Sequence, residues 1–372
     1  MSSSHKSVEA GSSFERRSSS WLADWSAKLF PVTPDGSTAL RDYRILSSLV
    51  GLAALVALAA IPRMPVFVAP LGLMVGVAYY LIFARRERLR QKLLAAPFPD
   101  AFRDVLRQRV PLYVQLTDDE KRRFEGEVAV FLGEQRIYAL GGLEDDDDAA
   151  QVKLTDEHRV LIAASAAILL LGRPDWRLPT DRDIVVYPTS FAEETYSMEQ
   201  NAHAIGMVHA QGPILFAIAA IEQSFPHRQS WLHGSGLFQS QPQFAQSHVG
   251  LHEFAHVLDF LGQQGRSTGV PVLLPPSVQR EWHQQLAIER ERLMDGNSVL
   301  NPYGLKNEAE LFAVSVESFF QDSTRLRSHH PELYGLLSDF FNQDPASRMV
   351  PMQSVVQLRP WFSLGNTPRY LA

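Results

Sequence analysis

The sequence predicts an α+β protein in which an N-terminal pair of membrane-spanning helices precedes a large globular domain. Two observations carry this prediction. Two long uncharged runs lie between residues 45 and 84, and the chain beyond them alternates segments of helical periodicity with short strand-like apolar runs. The chain has 372 residues, of which 45% are hydrophobic and 20% charged, so most of it can fold around an apolar core.

The two uncharged runs, residues 45–62 and 64–84, predict a transmembrane helical hairpin. Each run is long enough to cross the roughly 30 Å apolar core of a bilayer at about 1.5 Å per residue. Tyr79 and Tyr80, close to one end of the second run, favour this interpretation because aromatic side chains gather at membrane interfaces. The alternative is a pair of helices buried inside a soluble protein.

Basic residues lie on the outer sides of both runs. Arg41 and Arg44 precede the hairpin and residues 85–92 contain five arginines or lysines, whereas Arg63 alone lies between the runs. Because the cytoplasmic flanks of membrane helices are enriched in Lys and Arg, both ends of the hairpin are expected in the cytoplasm. The large domain would then face the cytoplasm and be tethered to the membrane.

These patterns divide the chain into four parts. Residues 1–44 form a disordered or interfacial tail, of which residues 1–20 are Ser-rich and expected to be disordered. Its Trp-bearing segment, residues 21–30, fits either a short interfacial helix or packing against the domain. Residues 45–84 form the hairpin, residues 85–97 a basic juxtamembrane linker, and residues 98–372 the globular domain. The acidic run 144–148 inside this domain is expected to be a solvated loop.

Capping signals and apolar runs place the main elements of the globular domain. Thr117, with Glu120 three residues later, has the sequence pattern of a capping box. Thr155 caps a second helix, whose uncharged stretch is too short to span a membrane and predicts burial. Residues 183–188 and 212–220 are typical of core strands.

The composition restricts the chemistry available to a functional site. There is no cysteine, which excludes disulfides, thiol nucleophiles and thiolate metal sites and leaves His, Asp and Glu as the strong zinc ligands. The formal net charge of -6 gives no support for direct nucleic-acid binding.

One short segment, HVGLHEFAHVLDF at residues 248–260, predicts a metal site. His248, His252 and His256 lie four residues apart and therefore near one face of a helix. The segment contains His-Glu-x-x-His, in which two histidines bind zinc and the glutamate, here Glu253, acts as general base. Apolar residues surround the histidines and indicate a buried helix, whose polar groups need partners that a metal supplies.

A third ligand has to come from elsewhere in the chain. The metzincin pattern is excluded because Asp259 and Gly262 stand where that pattern needs Gly and His. A downstream helical segment carries Glu308, Glu310 and Glu317. Helical spacing puts Glu310 and Glu317 on one face while Glu308 points away. Spacing leaves the choice between Glu310 and Glu317 open, and the one that is not a ligand could hydrogen bond to a ligand.

A resemblance to a known family rests on two segments, HEFAHVLD and YGLKNEAELFAVSVESFF. They resemble the Mlc titration factor A family, bacterial zinc metallopeptidases of the gluzincin type that are related in their catalytic core to the anthrax lethal factor protease. The resemblance extends from about residue 98 to about residue 345. It implies a zincin-like fold and makes Glu310 the third zinc ligand and Tyr303 a catalytic residue, but it says nothing about residues 1–92. Because the family is bacterial, the hairpin predicted from the apolar runs is expected in the bacterial inner (cytoplasmic) membrane.

The same resemblance implies one Zn²⁺ per chain, bound by His252, His256 and Glu310 with a water in the fourth position. Glu253 would take a proton from this water and deliver it to the leaving amine, and Tyr303 would donate a hydrogen bond to the oxyanion. The expected reaction is peptide-bond hydrolysis, with aminopeptidase cleavage and cleavage inside a chain both left open.

Three residues near the ligands receive supporting roles. His248 is expected to pack or to support a ligand, because three histidines one turn apart do not suit tetrahedral zinc. Glu317 is expected to hydrogen bond to a ligand. Asp259 could orient the ring of a ligand histidine, or could serve as a surface or capping residue.

The expected partners are a peptide or protein substrate and the membrane, without nucleic acid. The strand that begins at Gly212, Pro213, Ile214 and Leu215 could pair with an extended substrate, or could be an ordinary core strand. The family resemblance also implies a second hypothesis, because the namesake binds the glucose repressor Mlc. In that case the chain would be a membrane-tethered regulatory protein that sequesters a transcriptional regulator and has slight or latent peptidase activity.

Overall fold

The structure of the chain is a computed structural model. Two predicted segments lie outside the residues that it describes, namely the tail up to residue 43 and the acidic run 144–148. The described residues are 44–53, 68–140, 153–174, 176–179, 182–191, 204–208, 212–228, 248–260, 269 and 276–348.

Four short strands form one mixed sheet in the described part of the chain. Their order is β1-β2-β4-β3, with β1, β2 and β4 parallel and β3 antiparallel to β4. Every residue of β2 and β4 is buried, which fits the apolar runs that predicted these two strands. The strands are β1 (Ile137–Ala139), β2 (Ile184–Tyr187), β3 (Gly206–Val208) and β4 (Ile214–Ala217).

Helices make up most of the described chain, and the mixture of helices and strands confirms the α+β class. The last residues of the predicted strand 212–220 belong instead to a helix, α7 (Ile218–Ser224). In chain order the helices are α1 (Val68–Phe83), α2 (Arg85–Ala95), α3 (Asp100–Arg109), α4 (Pro111–Gln115), α5 (Asp118–Glu134), α6 (Asp156–Leu170), α7 (Ile218–Ser224), α8 (Val249–Phe260), α9 (Pro276–Met294), the 3-10 helix Pro302–Leu305, α10 (Glu308–Gln321), α11 (Ser323–His329), α12 (Pro331–Phe341) and α13 (Pro345–Arg348).

The two helices predicted from capping signals, α5 and α6, are confirmed. The Thr117 hydroxyl accepts a hydrogen bond from the Glu120 N–H at 3.3 Å, and the Glu120 carboxylate accepts one from the Thr117 N–H at 2.9 Å. These two bonds complete a capping box. Thr155 forms the same kind of box with His158 at the start of α6, and α6 is buried along nearly its whole length.

Helix α8, which carries the histidine motif, lies in the hydrophobic core as predicted. Its apolar residues between positions 249 and 258 are almost completely buried. The Phe254 ring packs against Phe131 of α5 and Phe216 of β4, with ring centroids 5.6 and 5.9 Å away. Contacts of this kind on both sides hold α8 rigidly between the sheet and the neighbouring helices.

The two uncharged N-terminal runs are helical where the structure describes them, at residues 44–53 and in α1. Small residues bring these helices together. A methyl group added at Gly76 would overlap the Ser47 carbonyl oxygen and approach Gly51. The two helices therefore pack side by side, and the connecting residues 54–67 lie outside the described residues.

Many large apolar side chains of this helix pair are exposed. Leu52 is 57% exposed and Leu73 is 67% exposed. Of the helices in the described part of the chain, none combines the length and the apolar character needed to span a bilayer. The described helices therefore do not confirm the transmembrane hairpin, which stays a prediction.

The segment predicted as a basic linker, residues 85–97, consists mostly of α2, which is packed on α5. Gly126 and Gly133 of α5 leave room for Leu94 and Leu93 of α2, because a methyl group at either glycine would overlap these leucines. The prediction of a linker is therefore corrected, and the folded domain includes α2. Arg90 of α2 adds an ion pair with Glu134 of α5 at 3.8 Å, and Glu87 of α2 pairs at 3.4 Å with Arg177, which follows α6.

Candidate metal centre

The two histidines of the motif project from successive turns of α8 toward one point. His252 and His256 are four residues apart in a continuous helix, so their rings lie on the same face. Their Nε2 atoms are 3.2 Å apart, and their ring planes cross at 78°. Both Nε2 atoms therefore face a shared position.

Glu310 brings a carboxylate oxygen to the same position from α10. Asn307 caps this helix, and its Oδ1 accepts a hydrogen bond from the Glu310 N–H at 2.9 Å, which fixes Glu310 in the first turn. Glu310 Oε2 lies 2.9 Å from His252 Nε2 and 3.2 Å from His256 Nε2. His252, His256 and Glu310 form a group that could hold a metal ion, which we call the ligand group. The Glu308 side chain, in contrast, is 57% exposed.

Glu317, the second carboxylate on this face of α10, lies behind the ligand group. Its Oε1 is 2.6 Å from His252 Nδ1, and its Oε2 accepts a hydrogen bond from the backbone N–H of His248 at 2.7 Å. When His252 donates its Nδ1–H to Glu317, its Nε2 keeps a lone pair for a metal. In the structure Glu310 faces both histidines and Glu317 contacts the far side of the His252 ring, a choice that helical spacing left open.

Burial makes the charges of this group interact strongly. Burial by itself lowers the pKa of His252, but hydrogen bonds to Glu310 and Glu317 outweigh it and raise that pKa well above its ordinary value. Burial raises the pKa of Glu310, but hydrogen bonds with His252 and His256 outweigh it and hold that pKa well below its ordinary range. The group is therefore suited to surround positive charge.

His248 caps α8 and is not a member of the ligand group. It precedes the first helical residue, and its Nδ1 accepts a hydrogen bond from the Leu251 N–H at 3.2 Å. Its ring packs edge-on against Phe225, with centroids 4.5 Å apart. Burial lowers the pKa of His248 to about 4, so the ring is neutral at physiological pH.

Glu253 lies next to the ligand group and against the edge strand of the sheet. It is 5% exposed, and burial raises the pKa of its carboxyl although His252 and His256 oppose the rise. Gly206 of β3 borders this carboxylate. A methyl group added at Gly206 would overlap Glu253 Oε1 and the Val249 side chain. Gly206 therefore provides the space that the Glu253 carboxylate occupies.

Tyr303 lies beside the ligand group in the 3-10 helix and is 45% exposed. Asn301 caps that helix by accepting a hydrogen bond from the Tyr303 N–H at 3.0 Å. The Tyr303 ring centroid is 6.0 Å from that of His252. Lys306 Nζ donates to the Tyr303 hydroxyl at 2.9 Å and lies 3.6 Å from Glu310 Oε1. Lys306 thus contacts both Tyr303 and the Glu310 oxygen that does not face the histidines.

Asp259 connects α8 to the start of α10. It is completely buried, and its Oδ2 accepts a hydrogen bond from the Gly269 N–H at 3.0 Å. Gly269 has a φ of 69°, which glycine adopts without strain, and a methyl group there would overlap the Glu308 carbonyl. Burial excludes a surface role for Asp259. Its hydrogen bond holds the chain between the two helices that carry the ligand group.

The pairing of a substrate with Ile214 and Leu215 is contradicted by the strand order. These residues lie in β4, between β2 and β3, and Gly212 and Pro213 precede the strand in half-buried positions. The open edge next to Glu253 belongs to β3, which has no strand of the described chain on its other side. The register pairs the two β4 residues on both sides, with Ile184 and Val185 in β2 and with Val208 and Met207 in β3.

Comparison with protein families matches residues 83–342 to the family described as glucose-regulated metallo-peptidase M90. The match covers well over half of the chain. The chain belongs to this family. The M90 match includes both helices of the ligand group, and it begins before α2, which agrees with the packing of α2 on the domain.

Individual relatives agree with the M90 assignment. An uncharacterized protein of Synechocystis is 28% identical over 268 residues, which cover 68% of this chain and 88% of that protein. Mlc titration factor A of Pectobacterium atrosepticum is 28% identical over 270 residues, covering 67% of this chain and 89% of that protein. Mlc titration factor A of Salmonella typhi is 28% identical over 252 residues, covering 64% and 85%. The resemblance to the Mlc titration factor A family is confirmed.

Membership of the M90 family implies a metal, and the ligand group fits zinc. Tetrahedral Zn²⁺ with bonds of about 2.0–2.2 Å places its ligand atoms roughly 3.3–3.6 Å apart. The Nε2 atoms of His252 and His256 and the Oε2 of Glu310 are 2.9, 3.2 and 3.2 Å apart, so a small outward movement admits the ion. Two imidazoles and one carboxylate are also the donor set of a catalytic zinc site with an open fourth position.

Two residues next to the ligand group, Gly206 and Lys306, were not predicted from the sequence. Gly206 belongs to a segment without a strong strand pattern, and its contact with Glu253 is long-range, so no local signal reveals it. Lys306 could have been found. It lies three residues after Tyr303 and four before Glu310, and such spacing brings side chains together in a helical segment.

Proposed function

We propose that this M90 protein is a zinc-dependent peptidase that hydrolyses peptide bonds. The observation that supports this most is the convergence of His252, His256 and Glu310 on one position, with Glu253 buried beside them. A site that only stores a structural metal is normally closed by a fourth protein ligand and has no use for a buried glutamate next to the ligands.

In this proposal three residues bind the metal and a fourth orients one of these ligands. The chemistry supplied by a bound metal is polarisation of the scissile carbonyl and acidification of the attacking water. His252, His256 and Glu310 would hold the ion. Glu317 keeps the His252 ring in one orientation and one tautomer through the 2.6 Å contact at Nδ1.

Glu253 is the general base in this proposal. It accepts a proton from the attacking water and then delivers it to the leaving amine, so its carboxyl must take up and release a proton in each cycle. Burial raises the pKa of this carboxyl above its ordinary value, although His252 and His256 oppose the rise. The backbone of the substrate would lie along the open edge of β3, beside this carboxylate.

Tyr303 is proposed to stabilise the oxyanion. Lys306 donates to the Tyr303 hydroxyl oxygen, so the hydroxyl proton points away from the lysine and is available to an acceptor at the site. A donor held in place before the reaction stabilises the negative charge that develops on the carbonyl oxygen.

Gly206→Ala is expected to lower kcat for peptide hydrolysis by about 10- to 100-fold and to leave the zinc content unchanged. The added methyl group would displace the Glu253 carboxylate, and a misplacement of about 1 Å can cost roughly 100-fold in rate. Hydrolysis of a fluorogenic peptide and elemental analysis measure the two effects. Gly335→Ala in α12, where nothing lies within 4 Å of an added Cβ, is the matched control. Full activity of Gly206→Ala would show that Glu253 does not need this space.

The peptidase proposal is tested with the purified full chain loaded with zinc. We expect it to cleave members of a peptide library, a chelator to stop the cleavage, and added zinc to restore it. The cleavage positions then distinguish aminopeptidase action from cleavage inside a chain. If the zinc-loaded chain cleaves no peptide, the proposal is wrong.

We also propose that the chain is tethered to the bacterial inner membrane with its peptidase domain facing the cytoplasm. The exposed apolar side chains of residues 44–53 and of α1 support the tether, because such a surface is stable when lipid covers it. The basic residues of α2, which follow α1 directly, support the orientation. Release of the full chain from membranes by an alkaline wash would contradict the tether.

The regulatory alternative is supported by the name of two relatives, Mlc titration factor A. In this proposal the chain binds and sequesters a transcriptional repressor. The presence of Glu253 next to a complete ligand group favours the peptidase, because binding alone does not require a general base. The Glu253→Gln variant separates the two functions.

A further inference from the structure

A second concave site lies between α2, the end of α5 and the start of β1. It is an open cavity of about 940 Å³, and none of its lining residues belongs to the metal centre. Two carboxylates, Glu134 and Asp183, are part of its wall. Five basic side chains outnumber them: Arg85, Arg86, Arg88, Lys92 and Arg136.

Most basic side chains of this cavity have no ion-pair partner in the described part of the chain. Arg85, Arg86, Lys92 and Arg136 make no side-chain hydrogen bond or ion pair with any residue that the structure describes. Arg90 shows the contrast, since it lies on α2 outside the cavity, is buried, and pairs with Glu134 at 3.8 Å. Like charges that line one concave surface repel each other and attract anions.

Arg88, in the wall of the cavity, contacts the end of α1. Its Nη2 donates to the Leu81 carbonyl at 2.9 Å, and its Nε donates to the Ala84 carbonyl at 3.3 Å. Its guanidinium lies 5.2 Å from the centre of the Tyr80 ring. The basic wall therefore begins where the apolar helix ends. In a tethered chain this is the boundary between membrane and water, where lipid headgroups lie.

Two separate parts of the chain build the cavity. Arg136 lies just after α5, whereas the other four basic residues belong to α2. The leucine contacts with Gly126 and Gly133 hold α2 on α5, so the distance between the two sets of charges is fixed. An anion bound in the cavity would therefore join the juxtamembrane helix to the peptidase domain.

We propose that this cavity binds the phosphate group of an anionic membrane phospholipid, an inference that rests on the membrane tether proposed above. Arginine offers paired N–H donors on a rigid plane that matches a phosphate. Anionic lipids gather at basic residues next to a membrane segment. The cavity volume is that of a small-molecule site and exceeds what a bare ion needs. The bound lipid would fix the orientation of the peptidase domain on the membrane surface.

The test uses the full chain purified in detergent, with short-chain phosphatidylglycerol as the probe. Thermal unfolding is followed as this lipid, short-chain phosphatidylcholine or inorganic phosphate is added. We expect phosphatidylglycerol to raise Tm, phosphatidylcholine to leave it unchanged, and phosphate to act only at much higher concentration. An equal rise with phosphate at the same concentration would overturn the lipid assignment. Absence of a rise with all three would overturn the site.

Variants show whether the effect comes from this cavity. Arg86→Gln/Arg136→Gln is expected to need about 25-fold more phosphatidylglycerol for the same rise in Tm, about fivefold for each basic residue. Arg122→Gln, on an exposed part of α5, is the matched control and should respond like the wild type. Asp183→Asn removes a negative charge from the wall and should bind more tightly, which a merely destabilised variant would not do. Identical responses of all four proteins would overturn the assignment.

Failure of this inference can be told apart from failure of the proposed function. Alkaline extraction of membranes reports on the tether, and cleavage of a soluble peptide reports on the metal centre. Neither measurement depends on Arg86 or Arg136. A chain that stays in the membrane and cleaves peptides, but does not respond to phosphatidylglycerol, would contradict the lipid site alone.

Discussion

Glu253→Gln is expected to retain one zinc per chain and to lower kcat for peptide hydrolysis by about 10²- to 10⁴-fold, the usual contribution of a general base. The amide has nearly the same size as the carboxylate, so the packing against Gly206 is preserved. It has no basic oxygen that can take up the proton of the attacking water. Elemental analysis gives the zinc content, and hydrolysis of a fluorogenic peptide gives kcat.

Glu308→Gln is the control for this measurement. Its side chain is 57% exposed and the residue is not a member of the ligand group, so this variant should keep both zinc and activity. If purified Glu253→Gln hydrolyses peptides as fast as the wild type, Glu253 is not the base and the proposed mechanism has to be abandoned.

The same variant separates the two proposed functions. A regulatory protein that acts by sequestration should still perform its cellular role when Glu253 is replaced by Gln, because binding needs the surface and not the base. A peptidase should lose that role together with hydrolysis. Complementation of a deletion strain by Glu253→Gln therefore decides which activity the cell uses.

Glu310→Gln is expected to weaken zinc binding by more than about 100-fold. Loss of a residue that merely supports a ligand already costs roughly 10- to 100-fold, and Glu310 supplies a proposed ligand atom and a negative charge. Competition with a chromophoric chelator measures the zinc affinity. The rise in Tm on addition of zinc should shrink in parallel, because stabilisation by a ligand follows its affinity.

Two other glutamates on α10 complete this comparison. Glu308→Gln should bind zinc like the wild type, and Glu317→Gln should lose roughly 10- to 100-fold through its effect on the His252 ring. Wild-type affinity in Glu310→Gln combined with a large loss in Glu317→Gln would mean that the roles of these two carboxylates are reversed.

The candidate site could be predicted in large part because its main features are local. The spacing of His252 and His256 and the apolar residues around them depend only on the geometry of one helix. Spacing on α10 likewise put Glu310 and Glu317 on the inner face, and both side chains reach His252 in the structure. Which of them faces His256 depends on how α10 lies against α8, and spacing within α10 has no information about that.

The errors concern contacts between distant parts of the chain. An apolar run such as that of Ile214 and Leu215 indicates a strand but not its place in the sheet, which depends on the other strands. The charges of residues 85–92 suggested a linker, whereas Gly126 and Gly133 offer the leucines of α2 a surface on α5. The role of Gly206 could not be predicted for the same reason, because it depends on the contact between β3 and Glu253.

One carboxylate, that of Glu317, would couple the folding of the start of α8 to the binding of a metal. Glu317 accepts a hydrogen bond from the backbone N–H of His248, the residue before α8, with one oxygen and contacts the imidazole of His252 with the other. Fraying of that helix end would therefore loosen the imidazole, and an ion that locks the imidazole would suppress fraying. The start of α8 and the ligand group would then behave as one cooperative unit, so a bound metal would make the start of α8 more rigid.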